Sequence, residues 1–289
     1  MPELPEVETI KRGLSQFIVK DQIKKTTILC EKSFIGKPKE IRFARVLGLR
    51  RFGKALVIDL DNQKSLMIHL RMTGQLIYDL KGQKERYAAG HPSDNFIDHL
   101  PNRQTRVIIE LQNGTLYFND QRKFGFIKVL ETKAVKDDSF IKKLAPEPWN
   151  ITPEDFYNKL QKRQNSCIKA TILDQTVIAG LGNIYADETL FASKIHPETK
   201  SGQITKAEAK LIIKNAKNVL EMAIKSGGST MKDYVKADGT RGDYLDKFAQ
   251  IFNRTGQKCP VCGQRVIKIK VAGRGTHVCP NCQKKEPND

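Results

Sequence analysis

No run in this 289-residue sequence approaches the roughly 18 consecutive apolar residues that a membrane-spanning helix needs. Its opening, MPELPEVE, is acidic and proline-rich where a signal or transit peptide would be basic, so a cytoplasmic protein is expected. Internal repeats and low-complexity tracts are absent. Acidic residues are scarce: 32 Asp and Glu stand against 50 Lys and Arg, a formal charge of +18. That imbalance points to a polyanionic partner. The alternatives are a basic surface that serves solubility alone and binding to a membrane surface, which the lack of a long basic amphipathic helix disfavours. Apolar residues make up 39% and aromatics 7%, too many for a disordered basic tail. The length suits about two domains, each able to bury a core without disulfides.

Cysteine is sparse as well, and four of the six residues are concentrated in one place. Cys30 and Cys167 are isolated and read as small buried hydrophobes. The others form Cys259-x2-Cys262-x16-Cys279-x2-Cys282. Each C-x2-C pair on a tight turn aims two thiolates at one point, and two such knuckles complete a closed tetrahedral site for one structural zinc ion. Two disulfides are the alternative, but a chain with no export signal keeps its thiols reduced. With all four positions filled by protein, this metal holds a fold rather than doing chemistry.

Texture divides the chain further. Val7, Ile10, Leu14 and Phe17 fall at helical spacing, and Pro5 suits a first turn, predicting a helix from Pro5 to about Ile18. Short β-rich runs follow: Thr26–Cys30, Ala55–Leu60, Ser65–Leu70, Arg106–Leu111, Thr115–Asn119 and Gly125–Leu130. Asn113-Gly114 marks a hairpin between two of them, and such runs indicate a sandwich or barrel. Residues 80–103 read as a long polar loop. After a Lys-, Asp- and Pro-rich break the pattern turns helical. Thr205-x-x-Glu208 is a capping box, Leu211, Ile212, Ala216, Val219, Leu220 and Ala223 continue one face, and Gly227-Gly228 ends the helix. The expected layout is a β domain over 1–132, a linker over 133–152, a helical domain over 153–243 and a zinc module over 244–289.

Several residues suit chemistry, each with an ordinary alternative. Removal of Met1, which is expected, would expose the secondary amine of Pro2. An α-amine titrates near ~8, so a neutral nucleophilic fraction exists at physiological pH, and Glu3 beside it is a candidate acid or base. Equally, Pro-Glu before a helix serves as a cap. Lys54 follows Gly53 at a strand edge with its charge displayed; His69, Arg71 and Met72 lie near a turn. The loop Asp120-Gln121-Arg122-Lys123-Phe124-Gly125 joins charge to an aromatic. Met and Phe beside Arg can wedge a base stack; otherwise Met72 and Phe124 are core, and Lys54 and Arg122 are solvated charges. Gly180-Leu181-Gly182-Asn183 could cradle a phosphate or be a plain interhelical turn. The module from Tyr244 has nine Lys/Arg against three Asp/Glu, so Arg274 on its expected hairpin reads as a phosphate contact.

Together these residues resemble the bacterial formamidopyrimidine-DNA glycosylases. The likeness is carried by Pro2-Glu3-Leu4-Pro5-Glu6-Val7-Glu8-Thr9, Gly53-Lys54, His69-Leu70-x-Met72-x-Gly74, Asp120-x-Arg122-Lys123-Phe124-Gly125 and Pro146-Glu147-Pro148. It continues through Gly182-Asn183-Ile184-Tyr185-Ala186-Asp187-Glu188, Gly227-Gly228-Ser229-Thr230, the four cysteines and Gly273-Arg274-Gly275-Thr276-His277, in order along essentially the whole chain. The resemblance implies an α+β multidomain fold: a helix-flanked β-sandwich, a helical domain of helix-two-turn-helix type and a four-cysteine zinc-finger hairpin. It implies a monomer acting on damaged double-stranded DNA, which excises 8-oxoguanine and formamidopyrimidines and then nicks the strand.

By the same resemblance, Pro2 attacks C1′, Glu3 protonates the ring oxygen, and Lys54 and Arg274 serve the β- and δ-eliminations. His69, Asn183, Lys169 and Gln104 contact DNA. Met72, Arg122 and Phe124 fill the space left by the flipped nucleotide, and backbone groups from Ser229 to Tyr234 read the base. The chain departs from the family's Lys-His-x-His run at Arg103-Gln104-Thr105-Arg106, where Arg103 and Arg106 could supply charge, and at Asn165. The alternatives are the endonuclease VIII group, which prefers oxidised pyrimidines, and a catalytically silent DNA-binding protein. Leu4 disfavours the first, and an intact Pro2-Glu3 with Lys54 disfavours the second.

Overall fold

The computed structural model describes residues 1–82, 86–90, 99–228 and 244–285. They gather into two compact units: Met1–Lys142 with 226–228, and Lys143–Lys225 with 244–285.

The first unit opens with helix α1 (Leu4–Ile18), with Pro5 in its first turn, where the missing N–H costs nothing. Ten strands follow: β1 (Ile23–Ile28), β2 (Phe34–Ile35), β3 (Val46–Phe52), β4 (Ala55–Leu60), β5 (Lys64–His69), β6 (Gly74–Leu80), β7 (Arg86–Gly90), β8 (Thr105–Leu111), β9 (Gly114–Asp120) and β10 (Phe126–Glu131). They make two five-stranded sheets, ordered β1-β8-β9-β6-β7 and β2-β10-β5-β4-β3, a sandwich. Ile58, Leu66 and Ile68 from one sheet meet Leu76, Val107 and Phe118 from the other, and Ile10 and Leu14 of α1 join the same core. Each such burial stabilises by about 1.5–3 kcal/mol. Helix α1 packs against β3, β4 and β7, which seats its N-terminus in the same unit as the β3–β4 turn.

Two local expectations change. The predicted loop at 80–103 contains β7, an edge strand paired antiparallel with β6; its five residues, RYAAG, are too few and too poor in β-branched side chains to stand out from the polar segments around them. Gly114 belongs to β9 rather than to the turn, and a Cβ there would lie 2.5 Å from the Asp79 carbonyl. Its value is close sheet packing, and Gln112 and Asn113 make the connection.

The second unit comprises α2 (Pro153–Gln161), α3 (Ile168–Leu173), α4 (Asn183–Ala192), α5 (Lys206–Lys225) and the hairpin of β11 (Ile267–Val271) with β12 (Arg274–Val278). The capping box of α5 forms: Glu208 Oε2 accepts the Thr205 N–H at 2.8 Å, and Thr205 Oγ1 accepts the Glu208 N–H at 3.2 Å. The buried face of α5 runs through Ile212, Ile213, Ala216, Leu220 and Ala223, whereas Leu211 is exposed and Val219 half-buried. No helix among the described residues is long and apolar enough to cross a membrane.

Candidate functional site

In the first unit Pro2 and Glu3 are buried at the head of α1. The Glu6 carboxylate accepts the Glu3 backbone N–H at 2.8 Å, which fixes the chain direction just before the helix. One turn on, Glu8 accepts from Arg12 (2.8 Å) and from Arg51 (2.9 Å), with Lys11 Nζ at 2.9 Å. Burial alone would raise the Glu8 carboxyl; the Lys11, Arg51 and Arg12 hydrogen bonds overturn that and hold it below the usual carboxylate range. Arg51 Nη1 also donates to the Gly53 carbonyl at 2.9 Å. This arginine therefore ties α1 to the two-residue turn carrying Lys54, a link that the run of basic residues at 50–54 did not reveal.

Phe52 pairs with Ala55 across that turn, and Gly53 takes φ +55°, the left-handed region that a side chain would strain. Lys54 was expected to display its charge, but only 5% of it is exposed. The tight turn directs the stem inward, so the amine sits in protein surroundings. His69 lies opposite Ala55 in β5 and is equally buried. Burial, with the charges of Arg71 and Lys54 beside it, pushes its imidazole down to about 3. Nδ1 accepts the Arg71 N–H at 3.0 Å, so the neutral ring keeps its proton on Nε2, a donor without a charge.

Three other predicted residues meet in solvent. Arg122 Nη1 lies 3.1 Å from the Met72 sulfur, and the Arg122 guanidinium stacks 4.9 Å from the centre of the Phe124 ring. Met72 is 43% and Phe124 54% exposed, which rules out the core reading for both. Asp120, fully buried, builds the loop beneath them. Its carboxylate accepts the Thr73 hydroxyl, the Arg122 N–H (3.1 Å) and the Gly125 N–H (2.7 Å). Gln104 is buried, with Oε1 accepting from Arg106 Nη2 at 3.3 Å. Arg106 is buried too, so neither side chain is displayed as the sequence suggested. Ser229 and Tyr234 lie outside the described residues.

In the second unit Gly182 is the N-cap of α4, and Asn183 Nδ2 donates to the Gly275 carbonyl at 3.1 Å. Lys169, expected at a DNA surface, is fully buried. Its amine bonds Asp187 Oδ1 (2.5 Å), Thr276 Oγ1 (2.7 Å) and the Gly275 carbonyl (3.4 Å). Asp187 also accepts the His277 N–H at 2.9 Å. This network pins the β11–β12 hairpin to α3 and α4 and leaves Arg274, the first residue of β12, exposed. Ala272 and Gly273, both at positive φ, make the type I′ turn before it. The four cysteine sulfurs lie within 4.8 Å of one another, two pairs at 3.8 and 3.5 Å. Zn–S bonds of about 2.3 Å in a tetrahedron set sulfurs about 3.8 Å apart, so the set fits one structural zinc ion.

Family models match along the chain: a formamidopyrimidine-DNA glycosylase N-terminal domain over residues 1–127, the H2TH domain of the same glycosylases over 144–235, and a zinc finger found in FPG and IleRS over 256–285. The formamidopyrimidine-DNA glycosylase of Streptococcus pyogenes serotype M3 is 41% identical, covering 99% of this chain and 100% of its own length. That of Desulfitobacterium hafniense (strain DSM 10664 / DCB-2) is 35% identical over 98% of this chain and its full length. Two solved Lactococcus lactis structures align with TM-score 0.85 and 34% identity over 98% of this chain and 100% of theirs. One is an FPG mutant with Fapy-dG-containing DNA, the other wild-type FPG with DNA containing an oxidised pyrimidine.

Proposed function

Because the chain belongs to the formamidopyrimidine-DNA glycosylase family, we propose that it excises oxidised purines from duplex DNA and then nicks the abasic site, with Pro2 as the nucleophile. With Met1 removed, the Pro2 amine attacks C1′ of the damaged nucleoside while Glu3 protonates the ring oxygen; the base leaves and an iminium joins protein and opened sugar. The iminium acidifies the C2′ proton, so β-elimination releases the 3′ phosphate and δ-elimination the 5′ phosphate. Lys54 and Arg274 serve these steps as proton donors. His69 contributes an uncharged Nε2–H and Asn183 an amide to the phosphates. Lys169 takes a supporting part: it holds Gly275 and Thr276, and with them the strand of Arg274. The cysteine-bound zinc supplies no chemistry; it keeps the hairpin folded.

The observation that carries the reading is the cluster of Met72, Arg122 and Phe124 in solvent. An exposed thioether and phenyl, brought from two neighbouring turns to either side of a guanidinium, leave apolar surface in water. They suit a duplex that must be opened: Phe124 wedges the stack, Met72 fills the gap and Arg122 meets the base left unpaired. The protein acts as a cytoplasmic monomer. Residues 133–152 link the β-sandwich to the helical part, and the segment from 244 works as the zinc module.

Borohydride trapping on duplexes with 8-oxoguanine opposite cytosine tests this. Processed protein should form a covalent adduct, and Pro2→Gly should suppress base excision. Glu3→Gln should slow excision by about 10²–10⁴-fold. No adduct with the processed wild type would refute the enzyme, and adducts only on oxidised thymine would assign it to pyrimidines.

A further inference from the structure

Arg106 occupies an unusual place. Strand β8 slips register against β9 between Thr105 and Val107, so Arg106 is the extra residue of a β-bulge, a device that re-aims a side chain. The bulge is anchored from behind, because the Arg106 carbonyl accepts the N–H groups of Leu29 (2.8 Å) and Cys30 (3.1 Å). Its guanidinium turns inward and donates to the carbonyls of Asp120 (2.7 Å) and Arg103 (3.0 Å) and to Gln104 Oε1 (3.3 Å). Asp120 in turn donates its N–H to the Gln104 carbonyl at 2.9 Å, and its carboxylate holds Thr73, Arg122 and Gly125. The root of the 121–124 loop is thus clamped on both sides: by its own carboxylate in front and by Arg106 behind.

We propose that Arg106 is a positioning residue that fixes the root of the loop bearing Arg122 and Phe124, and so sets how strictly the base opposite the lesion is read. The inference rests on the proposed roles of those two side chains. A guanidinium suits the task, since its rigid fork serves three acceptors at once where an ammonium offers a single point. A loosely held probe loses selectivity first, because a displacement near 1 Å at a site can cost about a hundredfold in rate. Abasic-site nicking, with no damaged base to select, depends less on the loop.

The test compares wild type, Arg106→Lys and Arg106→Ala in single-turnover excision of 8-oxoguanine opposite cytosine and opposite adenine, alongside nicking of a preformed abasic site. A 2-aminopurine beside the lesion reports wedge insertion. Arg106→Ala should cut the cytosine-to-adenine rate ratio about tenfold and dim the 2-aminopurine signal, with abasic nicking changed less than about threefold. Arg106→Lys should fall between, and it carries the test alone if the alanine variant does not fold. An unchanged ratio in a folded variant, or a parallel fall of all activities with the folded fraction, overturns the inference. A wild type that shows no excision at all would refute the proposed function instead.

Discussion

Two buried aspartates organise the two units, and they do so with different partners. Asp120 in the sandwich takes only neutral donors, one hydroxyl and two backbone N–H groups, and what it fixes is a loop whose side chains stand in water. Asp187 in the helical unit takes a lysine ammonium and a backbone N–H, with the His277 Nδ1 at 3.3 Å, and most of what it fixes is itself buried. A set of neutral donors satisfies the Asp120 carboxylate and shapes the backbone without bringing a second charge inside. The ionic set carries a large desolvation cost that its geometry must offset. Asp120 is therefore expected to matter for what the loop does, and Asp187 for whether its unit stays folded.

Breaking the ionic pair gives the largest effect. Lys169→Met leaves a buried carboxylate without its cation and should cost about 3–5 kcal/mol. Adding Asp187→Leu should recover part of that, not all, because the His277 N–H then loses its acceptor at about 1–3 kcal/mol. Urea titration followed by Trp149 fluorescence reads this unit directly, since Trp149 is the only tryptophan and lies within it. A single variant as stable as wild type would contradict the role given to the pair.

Acid should sharpen the contrast from the other unit. The unfolded chain protonates His69 near its ordinary value of 6.5, while the folded ring stays neutral down to about 3. Between those values the unfolded state binds the extra proton, so stability contributed by His69 is complete above about 6.5 and drains away as pH falls. The loss is at most about 2 kcal/mol between pH 6.5 and 5. His69→Gln should flatten that slope in melts of the full protein; an identical slope in both proteins would show that the ring is charged in the fold.

Legibility from the sequence followed the range of the interaction. The α5 capping box, the Ala55–Leu60 strand and the cysteine knuckles depend on neighbours a few residues away, and all were readable. Lys169 was not, because its partners lie 18 and 107 residues off and a lysine in sequence looks solvated. Lys54 was misjudged for a related reason: the turn was legible, but the direction in which it sends the side chain is set by packing. Arg106 offered no signal, since a bulge is a relation between two strands. Phe124 and Met72 were ambiguous in the opposite sense. An apolar residue in a loop reads equally as core or wedge, and exposure removes only the core reading.

That ambiguity yields the smallest expected change in stability and the clearest separation of fold from function. Phe124 is more than half exposed, and its ring contact is with the Arg122 guanidinium above it, worth about 0.5–1 kcal/mol at an exposed site. Removing the ring also removes apolar surface from water, which offsets part of that loss. Phe124→Ala should therefore shift folding free energy by no more than about 0.5 kcal/mol, near the limit of a denaturant titration. If the ring is a wedge, the same variant should lose the 2-aminopurine response beside the lesion and slow excision from duplex DNA, while sparing nicking at a preformed abasic site. A destabilisation approaching that of Lys169→Met would mean that Phe124 packs against more than the exposed cluster, and the division of work between the two aspartates would fail with it.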